Sequence, residues 1–592
     1  MPSTLTTQIL QRLNTIYVDQ EQAHLQLIAE QIVDRALRTK QSLIDQNTAE
    51  STNVSPPEKW DETSCMLITY ADSISSNNAS PLASLKTFYT QHLSPVIDTI
   101  HILPFFPSGG DDGFSVIDYK TVEPAHGSWS DVNALASSAR VMADLVINHG
   151  SAQSSWFKNF LAGQSPEKDY YMSVDDRFDT SQVVRPRAHP LLRSVETADG
   201  TKQIWCTFSE DQVDFDFANP ELLLEFIDII LLYLQQGVKL LRLDAVGFLY
   251  KKSGTKCLNL PETHAIIRLL RHITDLVCDD VVVVTETNLP NQENLSYFGN
   301  SNEAHWIYNF PLPPLLVHSL LFGDSTALRR WSMSMPPSLH GTAYLNFISS
   351  HDGIGMRPAE GILTDEQTGK MVDRLEANGS LFSWRAVAGQ DKKVYEANTT
   401  LFSALERTDA DPSAELCVER YLAAYTLMFG LEGVPAIYIN SLFGAENDVQ
   451  GAKNAQMNRR INRQKWNEAD LTKLLSAPET RGAKIFTELK FLLSLRARQS
   501  AFHPNATQFT LQFDKQFFGV WRQSRDRRQS IFAITNLTAE PQDLNRQSIN
   551  LIDTEDWNDL ISGKPVPLEN SHLTFAPYQS VWITNSTNRD EA

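Results

Sequence analysis

Short runs of apolar and β-branched residues recur along most of the chain, and stretches with helical spacing of apolar positions separate them. Runs of this length predict strands that are buried on both faces, as in a parallel sheet with helical connections. Eight such strands alternating with helices are typical of a closed (β/α)₈ barrel, which is the α/β fold class that we predict. The predicted strands are Met66–Tyr70, Thr99–Leu103, Val141–Asn148, Leu240–Asp244, Val281–Glu286, Ala304–Tyr308, Ala343–Ser349 and Val434–Ile439.

The pattern changes at the N-terminal end of the chain. Residues 1–46 place apolar side chains near the 3.6-residue spacing of helices, whereas residues 47–58 are polar and aperiodic. We therefore expect a helical extension and linker over residues 1–58. This extension is expected to pack on the barrel, although a role in dimerisation or partner binding stays open.

Two other segments do not fit the barrel pattern. Residues 150–210 are too long for a loop between a strand and a helix, so they predict a small inserted domain. Apolar positions alternate after residue 505, which predicts an antiparallel β domain over residues 505–585. The barrel itself is assigned to residues 59–149 and 211–500, with a long loop near 353–410 after its seventh strand.

Composition narrows the class of protein. The 592 residues are 42% hydrophobic and 21% charged, so a large core can form. The net charge of −20 opposes binding to nucleic acid and to anionic membranes. No apolar run approaches a membrane span, and no basic segment followed by an apolar one suggests a secretory leader. The five cysteines are scattered, which favours reduced thiols in the cytoplasm.

The candidate chemistry lies where four of the predicted strands end. The third strand ends in Asn148-His149, the fourth in Arg242-Leu-Asp244, the fifth in Glu286, and His351-Asp352 follows the seventh. Because the carboxyl ends of barrel strands meet on one rim, these groups should converge. Each motif alone is more often structural, as an ion pair, a strand end or a turn. Their joint order favours an active site.

Two of the carboxylates suit different roles in catalysis. Arg242 and Asp244 are two apart on a strand and share a face, so we expect the guanidinium to lower the pKa of Asp244. Glu286 follows four valines, and this apolar setting should raise its pKa. An ionised carboxylate beside a protonated one is the pair used by retaining glycosidases.

The motifs DLVINH, LRLDAVGF, VVTETN and SSHDG resemble, in this order, the four signature regions of the α-amylase superfamily, glycoside hydrolase family 13. The resemblance covers about residues 60–585. It implies that Asp244 is the nucleophile that forms a covalent glucosyl-enzyme and that Glu286 is the general acid and base. It also implies that Asp352 stabilises the transition state. The sugar subsite would be lined by His149, Arg242 and His351.

Three loops resemble the sucrose phosphorylase-like subfamily. The segment Gly-Gly-Asp111-Asp-Gly-Phe114 is similar to the motif that grips the glucosyl unit. Gln212 lies in a similar region at the end of the inserted domain, and Arg463 in Ile-Asn-Arg matches an arginine that binds glucose hydroxyls. Read from the residues alone, each of these loops would be an ordinary turn.

Further resemblances bear on the acceptor. Arg185-Pro-Arg187 is similar to the Arg-Pro-Arg of these phosphorylases, which implies that Arg187 binds phosphate. Tyr395 lies where their mobile loop has a tyrosine, and Arg357 follows the seventh strand, where it could meet an anionic acceptor. A solvated arginine is the equally weighted alternative for Arg357. Val184 precedes Arg185 where sucrose-specific members often carry Tyr. This departure, Arg357, the helical extension and the segment KWDETSCMLITYAD look more like glucosylglycerate phosphorylases than sucrose phosphorylases.

We therefore expect a retaining phosphorylase that converts a small α-glucoside, preferably glucosylglycerate, and inorganic phosphate into α-glucose 1-phosphate. The alternatives are a sucrose or glucosylglycerol phosphorylase, an α-glucosidase or transglucosidase, and a non-catalytic carbohydrate-binding barrel. Asn148 lies where many α-amylases bind calcium, but residues 150–210 offer no oxygen cage, so we expect no metal. No phosphate-binding glycine motif predicts a nucleotide cofactor. A homo-oligomer is left open.

Overall fold

The computed structural model describes residues 2–47, 58–187, 189–387, 390–549, 551, 556–567 and 569–585. At its centre eight parallel strands close into a barrel in which each strand pairs with its neighbours along the chain and the eighth pairs with the first. The predicted fold class is confirmed. The barrel strands are Met66–Thr69, Thr99–Ile102, Arg140–Val146, Val238–Asp244, Val282–Thr285, Trp306–Tyr308, Ala343–Asn346 and Val434–Tyr438.

Helices surround this barrel because their apolar sides cover the outward faces of the strands. Asn219 caps the helix after the inserted domain by accepting a hydrogen bond from Glu221 N, and Gly237 turns the chain into the next strand with a φ of +85°. The main helices packed around the barrel are Pro81–His92, Trp129–Ala136, Pro220–Gln235, Pro261–Val277, Leu312–Phe322, Thr326–Ser334, Cys417–Gly430 and Arg481–Arg496.

The N-terminal extension forms two helices, Pro2–Ile16 and Gln22–Asn47. Their apolar side chains are buried against each other and against the barrel helices Pro220–Gln235 and Pro261–Val277. The segment 48–57 of the predicted linker lies outside the described residues. Within them, no helix is long and apolar enough to cross a membrane.

The inserted segment after the third strand contains a short helix, Ser155–Leu161, and a small antiparallel sheet. Its end returns to the barrel because Gln212–Asp214 pairs with His149–Ser151. The three strands of the sheet are Ser173–Val174, Leu192–Thr197 and Gly200–Trp205.

The C-terminal region is an antiparallel β structure with a core of its own around Phe517, Phe532 and Trp557. Arg522 ties it to the barrel because its buried guanidinium donates to carbonyls on both sides of the junction. The strands of its main sheet are Thr507–Thr510, Phe517–Gln523, Ser530–Asn536, Ser580–Asn585, Trp557–Asp559 and Lys564–Pro565, and Gln542–Asn545 pairs with His572–Phe575.

The segment after the seventh strand differs from the expected long loop. It contains the helix Asp365–Ala377 and a hairpin formed by Leu381–Val387 and Gln390–Asn398. A third short strand, Ile354–Gly355, pairs with this hairpin. The sequence pattern hid the hairpin because its strands carry many charged and polar residues and no apolar alternation.

Candidate active site

The carboxyl ends of the barrel strands, the inserted segment and the hairpin enclose one pocket. Twelve of the thirteen side chains that the sequence singled out line it, and Arg463 is the exception. The predicted residues on its wall are Asp111, Phe114, His149, Arg187, Gln212, Arg242, Asp244, Glu286, His351, Asp352, Arg357 and Tyr395.

The floor of the pocket is a buried chain of charged groups. Arg242 Nη1 donates to Asp244 Oδ1 at 2.7 Å and also to Asp144. Asp144 in turn lies 2.7 Å from His101 Nε2. The predicted shared face of Arg242 and Asp244 is therefore confirmed. Because Asp144 also pairs with Arg242, the positive charge of this guanidinium is shared between two carboxylates.

Glu286 stands beside Asp244 because the fourth and fifth strands are neighbours in the barrel. Its Oε2 accepts a hydrogen bond of 3.1 Å from Ala245 N, the residue after Asp244. Ala245 has a φ of +51°, a left-handed conformation that costs a non-glycine residue free energy and is found at functional sites. This strained turn aims the amide of Ala245 at Glu286.

Burial raises the pKa of both Asp244 and Glu286 above their ordinary values. For Glu286 this agrees with the sequence. For Asp244 the guanidinium of Arg242 does lower the pKa, but the expected net lowering is wrong. The loss of hydration outweighs that guanidinium, and the carboxylates of Glu286, Asp144 and Asp352 act in the same direction as burial. Two neighbouring carboxyls with raised pKa values favour a state in which the pair holds one proton.

Asp352 has the opposite electrostatic setting. Burial alone would raise the pKa of this carboxyl, but Arg459 and further cations lower it below its ordinary value. Arg459 Nη1 lies 2.7 Å from Asp352 Oδ1, and Arg463 Nη2 lies 3.6 Å from the same oxygen. Asp352 is therefore held in its ionised form.

One wall of the pocket is a polar and aromatic shelf suited to a sugar ring. Phe114 stacks on His351 with their ring centroids 5.1 Å apart. His149 Nε2 lies 3.0 Å from Phe114 O, and Gln212 Nε2 donates to that same carbonyl at 3.1 Å. Burial lowers the pKa of His149 and of His351, so both rings are neutral hydrogen-bonding groups.

Asp111 reaches the pocket from a strained turn after the second strand. Asp111 and the following Asp112 both have a positive φ, of +50° and +46°. Asp112 accepts a hydrogen bond of 2.6 Å from Arg463 Nη1, while Arg463 Nε donates to the carbonyl oxygen of His351. Arg463 thus lies behind the pocket wall and joins the Asp111 turn to the His351 loop.

The rim of the pocket carries two arginines that are unlike those of the floor. The guanidinium of Arg187 lies over the ring of Tyr395 at 5.2 Å from its centroid, and Asn288 Nδ2 is 3.4 Å from the Tyr395 hydroxyl. Arg357 lines the same side. Within the described part of the chain, neither arginine has a carboxylate partner.

Asn148 lies below the sugar shelf and is bound by a lysine. Lys251 Nζ donates to Asn148 Oδ1 at 2.9 Å and lies 2.8 Å from Asp214 Oδ2, with both charged groups out of contact with water. Asp214 also accepts from Thr207 and from Asn148 Nδ2. This ammonium ties the strand that carries His149 to the end of the inserted segment. No cluster of three or more potential metal-ligating His, Cys, Asp or Glu residues occurs in the part of the chain described.

Several residues in or next to the pocket were not predicted from the sequence. Arg459 lines the pocket, and Asp112, Lys251 and Glu396 each bind a side chain far away in sequence. Arg459 lies only four residues before Arg463, so the motif Asn-Arg-Arg-Ile-Asn-Arg was a usable signal. The other three give no signal in sequence, because each is an ordinary polar residue in a loop or strand until its partner is known.

Comparisons with known proteins agree with this geometry. A family model described as the alpha amylase catalytic domain matches residues 86–352. The glucosylglycerate phosphorylase of Allomeiothermus silvanus is 40% identical over 526 residues, covering 88% of this chain and 91% of the relative. The glucosylglycerate phosphorylase of Escherichia coli is 38% identical over 527 residues, with 88% and 92% covered.

A solved structure supports the fold over nearly the whole length. The sucrose 6F-phosphate phosphorylase from Thermoanaerobacter thermosaccharolyticum superimposes with a TM-score of 0.70 at 22% identity and covers 90% of this chain and 99% of that protein. The predicted family is confirmed by the two relatives, which share about two fifths of their residues with this chain. The chain belongs to the α-amylase superfamily, glycoside hydrolase family 13.

Proposed function

We propose that this protein is a retaining phosphorylase that transfers the glucosyl group of 2-O-α-glucosylglycerate to inorganic phosphate. The observation that carries the proposal is the presence of Arg187 and Arg357 on the rim of a glycosidase-type pocket, without carboxylate partners among the described residues. Unpaired guanidinium groups beside a carboxylate pair suit anionic substrates. The names of the two relatives supply the particular glucoside.

In the first step Asp244 acts as the nucleophile. Its carboxylate attacks the anomeric carbon of the glucosyl unit, and the bond from this carbon to the glycerate oxygen breaks. Glu286 gives its proton to that oxygen, so glycerate leaves with a hydroxyl group. Burial raises the pKa of Glu286, which favours the protonated form that this step needs.

Asp352 is ionised and stabilises the positive charge that develops on the sugar ring in the transition state. Phe114, His149, Gln212 and His351 bind the ring and its hydroxyls on the shelf described above. Because catalysis needs interactions that strengthen in the transition state, the charge of Asp352 matters more for rate than the neutral shelf does.

In the second step phosphate replaces glycerate. Arg187 binds the phosphate beside the glucosyl-enzyme, with Tyr395 below the guanidinium. A phosphate oxygen attacks the anomeric carbon, Glu286 accepts the proton, and the ester bond to Asp244 breaks. Two inversions give net retention, so the product is α-glucose 1-phosphate.

Arg357 is the residue that we assign to the carboxylate of glycerate. A guanidinium on the rim favours a leaving group with a negative charge over a neutral one such as glycerol. This assignment separates glucosylglycerate from glucosylglycerol, which has a hydroxymethyl group in place of the carboxylate.

A parallel assay of three donors tests the function. Purified protein is incubated with glucosylglycerate, sucrose or glucosylglycerol, each with and without inorganic phosphate, and glucose 1-phosphate and glucose are measured. We expect phosphate-dependent glucose 1-phosphate, fastest from glucosylglycerate. Glucose released at the same rate without phosphate would identify a hydrolase, and faster turnover of another donor would overturn the substrate assignment.

A further inference from the structure

The hairpin over the pocket contributes Tyr395 to its wall, and the next residue along the strand is Glu396. Ser383 pairs with Glu396 but Trp384 pairs with Val394, so Tyr395 is the extra residue of a β-bulge. Bulges redirect side chains next to active sites. Both Tyr395 and Glu396 are buried, and only 1% of Glu396 is exposed. The carboxylate beside the rim tyrosine is thus one of the least accessible in the protein.

Glu396 is held by a guanidinium that also belongs to the pocket. Arg459 Nε donates to Glu396 Oε1 at 3.0 Å and Arg459 Nη2 donates to Oε2 at 2.6 Å. The remaining nitrogen of the same guanidinium, Nη1, lies 2.7 Å from Asp352 Oδ1. Arg459 therefore bridges two carboxylates, one on the hairpin and one at the reacting centre.

The backbone joins the same two parts of the structure. Ile354–Gly355, which follows Asp352, pairs with Glu396 and Ala397 of the hairpin. A Cβ atom on Gly353 would lie 2.4 Å from the carbonyl oxygen of Ala397, which is too close for any side chain. The loop of Asp352 and the hairpin are therefore in close backbone contact at Gly353.

The charges explain why a buried glutamate stands here. An arginine paired with Asp352 alone would draw that carboxylate into a full ion pair and reduce its charge towards the sugar. Glu396 makes two charge-assisted hydrogen bonds to Arg459, so it offsets part of the positive charge that faces Asp352. Asp352 then keeps only one contact to this guanidinium and stays available to the transition state.

We propose that Glu396 is a positioning residue that neutralises Arg459, leaves Asp352 free to act on the sugar, and fixes the Tyr395 hairpin over the pocket. The role assigned to Asp352 rests on the proposed function. The contacts that join Glu396, Arg459 and Asp352 act on the glucosyl transfer to Asp244, a step that any α-glucosyl donor of this enzyme would undergo.

The test is the variant Glu396→Gln, assayed with α-glucosyl fluoride as well as with glucosylglycerate. The amide keeps the size of the side chain but removes its charge. We expect kcat to fall roughly 100-fold with both donors, the scale of a misplaced catalytic group. Glu360→Gln is the matched control, because Glu360 binds Arg385 of the same hairpin at the surface. It should change kcat less than about twofold.

A double-mutant cycle separates this role from a general loss of structure. In an Arg459→Gln background there is no guanidinium to neutralise, so adding Glu396→Gln should cause little further loss. Independent, multiplying losses would overturn the proposal, as would a Glu396→Gln enzyme with wild-type kcat. If Glu396→Gln fails to fold, Glu396→Asp, which retains the charge, replaces it; we expect a smaller loss that Arg459→Gln again cancels.

The pH profile gives a second readout. Glu286 is faced by Arg242 and Asp244 from the fourth strand, Tyr308 from the sixth, Asp352 after the seventh, Tyr395 on the hairpin and Arg459 after the eighth. In Glu396→Gln the charge of Arg459 is less compensated, which favours ionised Glu286. The basic limb of kcat/KM should therefore move to lower pH. A basic limb of kcat/KM at the wild-type pH would contradict the proposal that Glu396 neutralises Arg459. The basic limb is measured with glucosylglycerate, whose leaving group needs the proton of Glu286. The kcat losses with α-glucosyl fluoride do not depend on the glycerate, so a wrong substrate assignment would leave them intact.

Discussion

At the floor of the pocket the guanidinium of Arg242 is bonded to two carboxylates, whereas at the rim Arg187 and Arg357 have no carboxylate partner among the described residues. The floor is therefore nearly complete in itself and needs only a sugar. The rim holds cations whose counterions must arrive with the substrates. In the function that we propose, the floor performs the glucosyl transfer and the rim selects the acceptor.

The largest expected effect comes from Asp244→Asn on the floor. The amide cannot form the glucosyl ester, so turnover should fall by about 10⁴-fold or more. Burial of the Asp244 carboxylate costs free energy, and in the variant Arg242 still pairs with Asp144. The melting temperature should therefore not fall. Steady-state kinetics and thermal unfolding measure both. More than about 1% of wild-type activity would refute the role of Asp244.

Below the floor, Lys251→Met removes one partner of a buried ion pair. The uncompensated charge of Asp214 should lower the free energy of unfolding by about 3–5 kcal/mol. The matched control is Lys252→Met, since Lys252 is exposed and meets Glu262 at 3.4 Å on the surface. That change should cost less than about 1 kcal/mol. Equal losses in chemical denaturation would mean that Lys251 has no special structural role.

On the rim, Arg187→Gln should selectively weaken the use of phosphate as the acceptor. Losing a charge-assisted hydrogen bond costs about 1.5–3 kcal/mol, which corresponds to roughly 10- to 100-fold in kcat/KM for phosphate. Hydrolysis of the glucosyl-enzyme should change much less. Arg177→Gln, an exposed arginine of the same inserted segment, is the control. If phosphorolysis and hydrolysis fall together, Arg187 does not select phosphate.

The smallest expected effect is that of Arg357→Gln on donor preference. The ratio of kcat/KM for glucosylglycerate to that for glucosylglycerol should fall about 10-fold, because only the former carries a carboxylate. The neutral donor serves as the control within the same enzyme. An unchanged ratio would show that the carboxylate is recognised elsewhere.

The side chains that line the pocket could be predicted from the sequence better than the ion pairs behind them. Buried strands such as Val282–Thr285 leave a continuous apolar run, and the groups at their ends converge because the barrel closes. Asp112, Lys251 and Glu396 could not be predicted, since their ion pairs depend on partners that are distant along the chain. The predicted sign of the pKa shift of Asp244 was wrong because the loss of hydration on burial, which outweighs Arg242, depends on the folded structure.

Analysis of the first product by NMR tests most directly whether the protein is a retaining phosphorylase. Glucosylglycerate and inorganic phosphate are mixed with the enzyme, and proton NMR follows the anomeric signals from the first turnovers. We expect α-glucose 1-phosphate as the first product, formed only when phosphate is present. β-Glucose 1-phosphate, or glucose at an equal rate without phosphate, would contradict a retaining phosphorylase with Asp244 as its nucleophile.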